Sequence, residues 1–194
     1  MRIGLIADTH IPEARSALWP QAYDAFAGVD AILHAGDIYD HDVIDQLHAI
    51  APTYACRGNG DDGSGGRPVQ GDHSRLQNVW TIELGGLTIG LLHDLPIPQR
   101  PPNFTVTRWL ERHFEDGFRP DVLVYGDSHV EDINLIDGVL CVNPGSPTYP
   151  HNLNTQLGTI GFLDVVDGQA SASIWRLTET GHEPFDWDTW RRPW

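Results

Sequence analysis

The sequence predicts an α/β domain built around a partly parallel β-sheet. Residues 1–57 alternate between short apolar segments and segments with helical spacing, in the order strand, helix, strand, helix, strand. This order is typical of parallel strands joined by right-handed helical crossovers. Further along, Gly85-Gly86 separates apolar segments at 79–84 and 87–92, which is the pattern of a β-hairpin. We therefore expect both parallel and antiparallel strand pairs.

Length and composition indicate one cytoplasmic domain. With 194 residues the chain is long enough for a hydrophobic core, and we expect a single domain over 1–194. No segment approaches the roughly 20 apolar residues of a membrane span, and the N-terminus lacks a signal-peptide pattern. Cys56 and Cys141 lie in apolar segments without Cys-x-x-Cys spacing, which predicts buried free thiols. A soluble protein of the reducing cytosol, with no membrane association, is expected.

The charge balance is strongly acidic. The chain has 27 acidic and 12 basic residues, the latter all arginine, for a formal charge of -15. General nucleic-acid binding is not expected, because it depends on many Arg and Lys contacts with phosphate. A site that handles phosphate would need positive charge from another source, and a bound metal ion is the obvious one.

The first third of the chain carries the alternating elements. Apolar segments predict strands, and apolar residues three or four positions apart predict helices. The elements are a strand at 1–7, a helix at 15–27 with Pro20 at its boundary or first turn, a strand at 31–35, a helix around 43–50 and a strand at 53–56. Residues 58–73 are so rich in Gly and Asp that we expect a mobile loop there.

The second half continues with the hairpin and further strands. A Pro-rich bend at 95–102 precedes a predicted helix at about 104–114. Strands are expected at 121–125, 133–136, 139–142, 159–165 and 170–177. The tail, at about 180–194, has three Trp in its last eight residues. We expect these rings to cover the domain's own core, with a homo-oligomer contact through the Trp-rich tail as the alternative.

Polar side chains follow the predicted strands. Asp8 and His10 come directly after the first strand, on one side of an extended segment, and Asp37 and Asn59 follow the next two strands. Because ligands bind outside the carboxyl ends of strands in such sheets, we expect Asp8, Asp37 and Asn59 to converge. Carboxylate and imidazole donors suit a divalent ion. By contrast, His34 is expected to be a buried, hydrogen-bonded residue.

The order and spacing of the motifs resemble those of the calcineurin-like metallophosphoesterases, in particular their small single-domain phosphodiesterase branch. The motifs are Asp8-x-His10, Gly36-Asp37, Gly58-Asn59, His93 and Gly126-x-x-His129, with Asn143-Pro-Gly-Ser146 as a further similarity. The resemblance covers residues 1 to about 165. It implies a four-layer αββα sandwich, two mixed β-sheets flanked by helices, with a two-metal site at the carboxyl ends of the strands.

The resemblance also implies the ligands of two divalent metal ions. These would be Asp8, His10 and His129 for one ion, Asn59, His93 and Asp127 for the other, and Asp37 between them. The family usually has His at position 127, so this chain adds a carboxylate there. Two divalent ions carry +4, and three carboxylates lower this charge to +1. Oxygen donors favour harder ions, so we expect Mn, with Mg, Fe, Zn and Ni as alternatives.

The implied reaction is hydrolysis of a small phosphate ester by in-line attack of a hydroxide that bridges the two ions. The catalytic residues expected from the resemblance are Asp37, Asn59 and His93. Many larger relatives have a His after the Gly-Asn pair, where this chain has Gly60. Candidate proton donors on the following loop are Asp61, Asp62 and His73, although each also fits an ordinary loop residue.

Three functions remain open from the sequence. A phosphodiesterase is the leading one, and a phosphomonoesterase would differ only in what the loops at 60–73 and 95–102 admit. The third is a non-catalytic scaffold of the same fold that binds a protein partner, as in the retromer complex. Asp127, Gly60 and the Trp-rich tail favour the scaffold, whereas six intact ligands out of seven favour an enzyme.

Overall fold

The computed structural model describes residues 1–63, 67, 69–97, 105–152 and 154–189. The helices within these residues are α1 (Pro20–Ala25), α2 (His41–His48) and α3 (Val106–His113). The strands are β1 (Arg2–Ile6), β2 (Ala31–His34), β3 (Thr53–Cys56), β4 (Leu76–Gln77), β5 (Trp80–Leu84), β6 (Leu87–Leu91), β7 (Val122–Val124), β8 (Asp132–Ile136), β9 (Val139–Asn143), β10 (Thr159–Val166), β11 (Gln169–Thr178) and β12 (Gly181–Pro184). In this described part of the chain, no helix has the length and apolar character needed to cross a lipid bilayer.

The strands form two mixed sheets. The larger sheet has the order β12-β11-β10-β1-β2-β3-β4, and the smaller has the order β5-β6-β7-β9-β8. Strands β1 to β4 are parallel to one another, as are β6, β7 and β9. The other neighbouring pairs are antiparallel. The carboxyl ends of the parallel strands therefore lie together at one edge of each sheet.

The two sheets pack face to face between outer helices. The layer between the sheets contains fully buried apolar side chains such as Leu5, Leu33, Ile89 and Val124. Because side chains alternate along a strand, Ile6 points the other way, into the cluster that α1 and α2 form with the larger sheet. Helix α3 covers the outer face of the smaller sheet. This arrangement confirms the expected four-layer αββα sandwich.

The predicted elements and the structure differ at a few places. The helix expected at 15–27 is reduced to α1, which begins at Pro20, because proline is tolerated in the first turn of a helix but not in its interior. Strands β4 and β12 were not expected, since they are short and are defined by pairing with β3 and β11 rather than by periodicity. Residues 98–104 of the bend and predicted helix, and 190–194 of the tail, lie outside the described residues. A homo-oligomer contact through the tail stays a prediction.

Candidate metal centre

Polar side chains from both sheets meet where the parallel strands end. The residues are Asp8 and His10 after β1, Asp37 after β2, Asn59 after β3, His93 after β6, and Asp127 and His129 after β7. Strands β1 to β3 belong to the larger sheet, and β6 and β7 belong to the smaller one. The site therefore spans both sheets, and it brings together all seven positions that the family resemblance implied as ligands.

Tight turns, rather than strand alternation, aim these side chains into the site. Asp8 and His10, which were expected on one side of an extended segment, lie beyond the end of β1 and have φ of 53° and 47°. Asp37, Asp127 and His129 also have positive φ, at 55°, 70° and 55°. This left-handed backbone region is unfavourable for residues other than glycine, and such strain concentrates at functional sites. The turns therefore indicate a site that the rest of the fold holds in place.

The first ligand group consists of Asp8, His10, Asp37 and His129. One potential ligand atom from each residue lies within 4.8 Å of all the others. The Nε2 atoms of His10 and His129 are 3.1 Å apart, and His129 Nε2 is 3.7 Å from Asp8 Oδ1. These four side chains surround a space in which their nitrogen and oxygen atoms could share one cation.

The second ligand group consists of Asp37, Asn59, His93 and Asp127. His93 Nε2 lies 3.2 Å from Asn59 Oδ1, 3.5 Å from Asp37 Oδ1 and 3.6 Å from Asp127 Oδ1. The other oxygen of Asp37, Oδ2, is 3.4 Å from His10 Nε2 in the first group. Asp37 therefore belongs to both groups, one carboxylate oxygen to each.

Backbone carbonyls determine which nitrogen of two imidazole rings faces the site. His93 Nδ1 donates to the carbonyl of Ala35 at 2.7 Å, and His129 Nδ1 donates to the carbonyl of Tyr149 at 2.8 Å. In the neutral ring the proton is then on Nδ1, which leaves the Nε2 lone pair free to bind a metal ion. Burial works to lower the pKa of His93, but the nearby Asp8 carboxylate, with others, raises it overall.

The electrostatics of the site fit a bound cation. Burial raises the pKa of Asp8 well above its ordinary value and also raises the pKa of Asp37. Burial lowers the pKa of His10 to about 3 and lowers that of His129. Asp8 Oδ2 is buried and has no hydrogen-bond partner among the described residues. Since buried charges are stable when paired or metal-bound, carboxylates beside neutral imidazoles form a donor set that suits divalent ions.

The loop after β9 fastens the turn that carries the first ligand group. Ser146 Oγ donates to the carbonyl of Asp8 at 2.7 Å, and Thr148 Oγ1 donates to that of Thr9 at 2.7 Å. The side-chain nitrogen Nδ2 of Asn143 donates to the carbonyl of Gly126, just before the turn of Asp127. The Asn143-Pro-Gly-Ser motif had been noted as a similarity without a role, and Thr148 had not been identified. Their function is to hold the ligand-bearing turns through side-chain hydrogen bonds.

Asp61 does not have the position that a proton donor requires. Its side chain is fully buried, and its carboxylate accepts the N–H groups of Ile38, Tyr39 and Gly58 at 2.8 to 3.2 Å. These hydrogen bonds join the turn after β2 to the turn after β3. The structure therefore replaces the expected catalytic role of Asp61 with a structural one.

The other two proton-donor candidates on this loop differ in position. The Nε2 atom of His73 lies 3.3 Å from Asp45 Oδ1 on α2, and its ring lies beside that of His41. This pairing orients His73 toward α2 instead of the ligand groups. Asp62 is exposed and lines a cavity next to Asn59 and His93. Of the three candidates on this loop, only Asp62 lines this cavity.

Tyr39 is a site residue that the sequence analysis did not identify. Its ring packs edge-on against His10, with ring centroids 4.7 Å apart, and lies over Gly60. A Cβ atom at Gly60 would be only 1.9 Å from Cε1 of Tyr39, so glycine is required beneath this ring. The Tyr39 hydroxyl has no hydrogen-bond partner within the described part of the chain. The clue available in the sequence was Gly60 itself, where a side chain would leave no room for Tyr39.

His34 is buried beneath the first ligand group, as expected. Its side chain is fully inaccessible, and Nε2 is 3.0 Å from the hydroxyl of Thr9. Burial lowers the pKa of His34 to about 3, so the ring is neutral at physiological pH. The prediction of a buried, hydrogen-bonded histidine is confirmed.

The fold, with a cluster of Asp and His side chains that could hold a metal ion, matches a known superfamily. A family model described as the calcineurin-like phosphoesterase superfamily domain matches residues 1–168. The chain belongs to this superfamily, whose members use divalent metals, and the resemblance seen in the motifs is thereby confirmed.

Curated relatives carry names that agree with this assignment. A probable metallophosphoesterase of Methanothermobacter thermautotrophicus is 35% identical over 150 residues, which cover 77% of this chain and 79% of that protein. A phosphodiesterase of Methanocaldococcus jannaschii is 27% identical over 173 residues, covering 84% of this chain and 93% of that protein. The chain is therefore similar to proteins named as phosphoester hydrolases over most of its length.

Solved structures with the same fold include vacuolar protein sorting 29 (Vps29). The Vps29 structure from Cryptosporidium parvum has a TM-score of 0.71 at 20% identity and covers 94% of each chain. Vps29 from Entamoeba histolytica, in a structure described as complexed with zinc, has a TM-score of 0.67 at 21% identity, covering 94% of this chain and 96% of that one. At these identities the likeness concerns the fold alone.

Proposed function

We propose that this protein is a metal-dependent phosphodiesterase that hydrolyses a small phosphate ester. The observation that carries the proposal is the position of Asp37, whose Oδ2 and Oδ1 lie 3.4 Å and 3.5 Å from the Nε2 atoms of His10 and His93. A carboxylate placed between two ligand groups is suited to bridging two cations. Membership of the superfamily and the phosphodiesterase relative from M. jannaschii support the same reaction.

Two divalent ions are the cofactors that we propose. The residues that would hold them are Asp8, His10 and His129 on one side, Asn59, His93 and Asp127 on the other, and Asp37 in both. Such a pair of ions acidifies a bound water and neutralises the phosphoryl oxygens. Manganese remains the expected ion, with Mg, Fe, Zn and Ni as alternatives, because the donors combine carboxylate oxygens with imidazole nitrogens. Zinc gains support from the related Vps29 of E. histolytica.

The protein's own groups would orient the ester. Tyr39 supplies an uncharged hydroxyl donor beside His10, within reach of the turn at Gly60. Asp61 keeps the turns after β2 and β3 together, and so keeps Asp37 and Asn59 at a constant separation. The catalytic residues of the proposal are therefore Asp37, Asn59 and His93, with Asp61 and Tyr39 as supporting groups.

Asp127 favours a diester over a monoester. Its side chain is 43% exposed, so it lies at the open side of the second ligand group. A carboxylate there lowers the positive charge that a dianionic monoester would meet, whereas a diester carries only one negative charge. A His at this position would not repel the monoester in the same way.

A non-catalytic scaffold that binds a protein partner is the second candidate, and the fold likeness to Vps29 is the observation that favours it. A scaffold does not require the buried, unpartnered Asp8 oxygen or the inward-facing Nε2 atoms of two histidines. Unpaired buried polar groups destabilise a fold unless they serve a ligand. We therefore favour an enzyme over a non-catalytic scaffold.

The test is Mn-dependent hydrolysis of bis(4-nitrophenyl) phosphate, compared with 4-nitrophenyl phosphate. Asp37→Ala removes the shared carboxylate, and Asp24→Ala on the exposed surface of α1 is the matched control. We expect the diester to be preferred, Asp37→Ala to be inactive and Asp24→Ala to equal the parent. Absence of bound metal together with no turnover of either ester would instead favour the scaffold. Equal or greater turnover of the monoester would make the protein a phosphomonoesterase.

The cytosol remains the compartment that we propose. Cys56 and Cys141 are both buried and form no disulfide within the described residues, and burial raises the pKa of the Cys56 thiol well above its ordinary value. Reduced cysteines are typical of a reducing compartment. Localisation of a tagged full-length protein would test this.

A further inference from the structure

Two cavities that share lining residues lie on the side of the second ligand group. The inner cavity has a volume of about 490 Å³, and its walls include Arg57, Asn59, Asn78 and His93. The outer cavity has a volume of about 680 Å³, and its walls include Gln77, Thr81, Phe114, Glu115, Asp116 and Phe118. Val79 and His113 line both cavities. We call the two neighbouring cavities together the groove; His93 lines its inner part, and Phe114 to Phe118, after α3, line its outer part.

A stacked pair of partly buried aromatic rings lines the outer cavity. The rings of Phe114 and Phe118 are stacked, with centroids 4.4 Å apart and an angle of 20° between their planes. Both rings lie over Gly90 of β6, where a Cβ atom would be within 3.2 to 3.3 Å of them. Thr81 is the partner of Gly90 in the β5–β6 register, so its exposed side chain lies on the same face of the sheet. The glycine thus makes room for the stacked rings.

The inner cavity has charges of both signs, from Arg57, Asp62 and Asp94, whereas the charged Asp and Glu residues of the outer cavity are all acidic. Near the metal centre, the guanidinium of Arg57 donates to the carbonyls of Gln70 and Gly71 and is held with only 17% of its side chain exposed. At the far end, Glu115 and Asp116 form the rim. A chain of phosphates would be repelled there, whereas an uncharged planar ring would not. The Gln77 amide and the Thr81 hydroxyl add hydrogen-bonding groups that an alkyl chain could not use.

We propose that this groove binds the nucleoside arm of a phosphodiester substrate, with the sugar in the inner cavity and the base on the aromatic surface of Phe114 and Phe118. The assignment rests on the phosphodiesterase function proposed above, which places the phosphate at the ligand groups. Stacking of bases on aromatic side chains is a common mode of recognition. The chain's formal charge of -15 favours a single nucleoside over a nucleic-acid strand. Each cavity has a volume in the range of small-molecule sites.

Four esters that share 4-nitrophenolate as leaving group test the proposal. Their second arms are thymidine (through its 5′ oxygen), the corresponding deoxyribose without a base, hexyl and methyl. With Mn²⁺, we expect kcat/KM for the thymidine ester to exceed that of the abasic ester by about tenfold, equivalent to about 1.4 kcal/mol. The abasic comparison isolates the base from the sugar. Equal rates for these two esters, or a preference for hexyl over thymidine, would overturn the proposal.

Two tryptophan substitutions on β5 test where the base of the substrate binds. Thr81→Trp fills the outer cavity, and Glu83→Trp places the same ring two residues along β5, on the same face but outside both cavities. We expect the thymidine-to-abasic ratio to fall to about one in Thr81→Trp and to stay at the parental value in Glu83→Trp. An unchanged ratio in Thr81→Trp would contradict the location proposed for the base. Thermal unfolding of both variants confirms that the comparison is between folded proteins.

A binding measurement separates this proposal from the phosphodiesterase function. Saturation-transfer NMR of thymidine 5′-monophosphate with the metal-free protein reports which ligand protons contact the chain. We expect the strongest transfer to the base protons, and its loss in Thr81→Trp. If the base protons receive this transfer but no ester is hydrolysed, the proposed phosphodiesterase reaction is wrong and the proposal for the groove is supported. If the methyl ester is hydrolysed but the base protons receive no transfer, the groove proposal fails alone.

Discussion

The two ligand groups differ in burial and in how they are held. In the first group Asp8 is fully buried and His10 is 9% exposed, and two side chains from the loop after β9 fasten the turn that carries them. In the second group Asn59 is exposed, and the Asp127 side chain is 43% exposed. His93 and the shared Asp37 are the buried members of the second group.

This difference indicates separate tasks. A buried, rigid donor set favours tight binding of an ion. Ordering its side chains costs little free energy when the ion binds, and water competes poorly for the buried site. The open side of the second group adjoins the inner cavity through Asn59 and His93, which is where a substrate would enter. We expect the first group to retain its ion and the second to exchange ion and substrate more easily.

Asn59→Ala is the change with the largest expected effect. Removing this amide oxygen from the open group should lower bound metal from two ions to one per chain and reduce diester turnover by on the order of 10²-fold. Metal analysis after gel filtration, with the kinetics of the same sample, would measure both. Two ions retained by the variant would contradict the difference between the groups. Asp24→Ala, on the exposed surface of α1 and outside both cavities, is the control for a general effect of substitution.

Asp8→Asn should stabilise the metal-free protein. Burial raises the pKa of Asp8 in the folded state, so the folded chain holds a proton that the unfolded chain releases. Stability of the metal-free parent therefore falls as pH rises from the unfolded pKa, about 4, toward the higher folded value. Asn has no such dependence and can still accept the N–H of Asp127 at the Oδ1 position.

The expected gain in the free energy of unfolding for Asp8→Asn at pH 7 is about 1–3 kcal/mol, with no gain at pH 3. Urea titrations of the metal-free proteins at both pH values would measure it. With Mn²⁺ added, the parent should have the higher free energy of unfolding, because it then binds an ion that the variant cannot hold as tightly. A gain that is equal at both pH values would show that burial of the charge is not the cause.

Asp127→His tests the carboxylate of the open group. An imidazole in place of this oxygen donor should shift the preference from Mn²⁺ toward Zn²⁺ by about tenfold in kcat/KM. The same change should raise monoester turnover relative to diester turnover, because one negative charge is lost. Parallel assays with each ion and each ester would measure these ratios. Unchanged ion preference and an unchanged pH profile would remove Asp127 from the ligand set.

Tyr39→Phe has the smallest expected effect. Loss of the hydroxyl should lower kcat by about fivefold and leave KM nearly unchanged, since one neutral hydrogen bond contributes about 1 kcal/mol. The ring and its contact with His10 are kept, so stability should not change. A loss that falls on KM, or a matching fall in unfolding free energy, would argue against a hydrogen bond made in the transition state.

Much of this architecture could be predicted from local patterns. The hairpin of β5 and β6, the strand β3 and the buried strand β2 follow from apolar segments bounded by glycine or polar residues, and their bounds differ little from the prediction. The two shortest strands could not be predicted in this way. A two-residue strand such as β4 has no period of its own and exists because β3 offers unpaired backbone groups beside it.

The candidate site, too, could be predicted only in part from the sequence. The ligand residue types could be predicted because each follows a strand in a motif with a family resemblance, whereas Asp61 was misinterpreted because its carboxylate looks like any other loop acid. Its burial under the N–H groups of two turns depends on contacts between segments more than 20 residues apart. Tyr39 was missed for a similar reason, since its partner Gly60 lies in another turn.

The sequence by itself determined the order of the elements, the acidic charge and the donor residues, since each depends on residue type and near-neighbour spacing. The tertiary structure alone decided which of these donors face one another. Asp8 and Asp127 are 119 positions apart, yet a hydrogen bond joins them across the two sheets. The left-handed turns that aim the ligands are unfavourable locally and persist because the packed sheets and side-chain hydrogen bonds hold them.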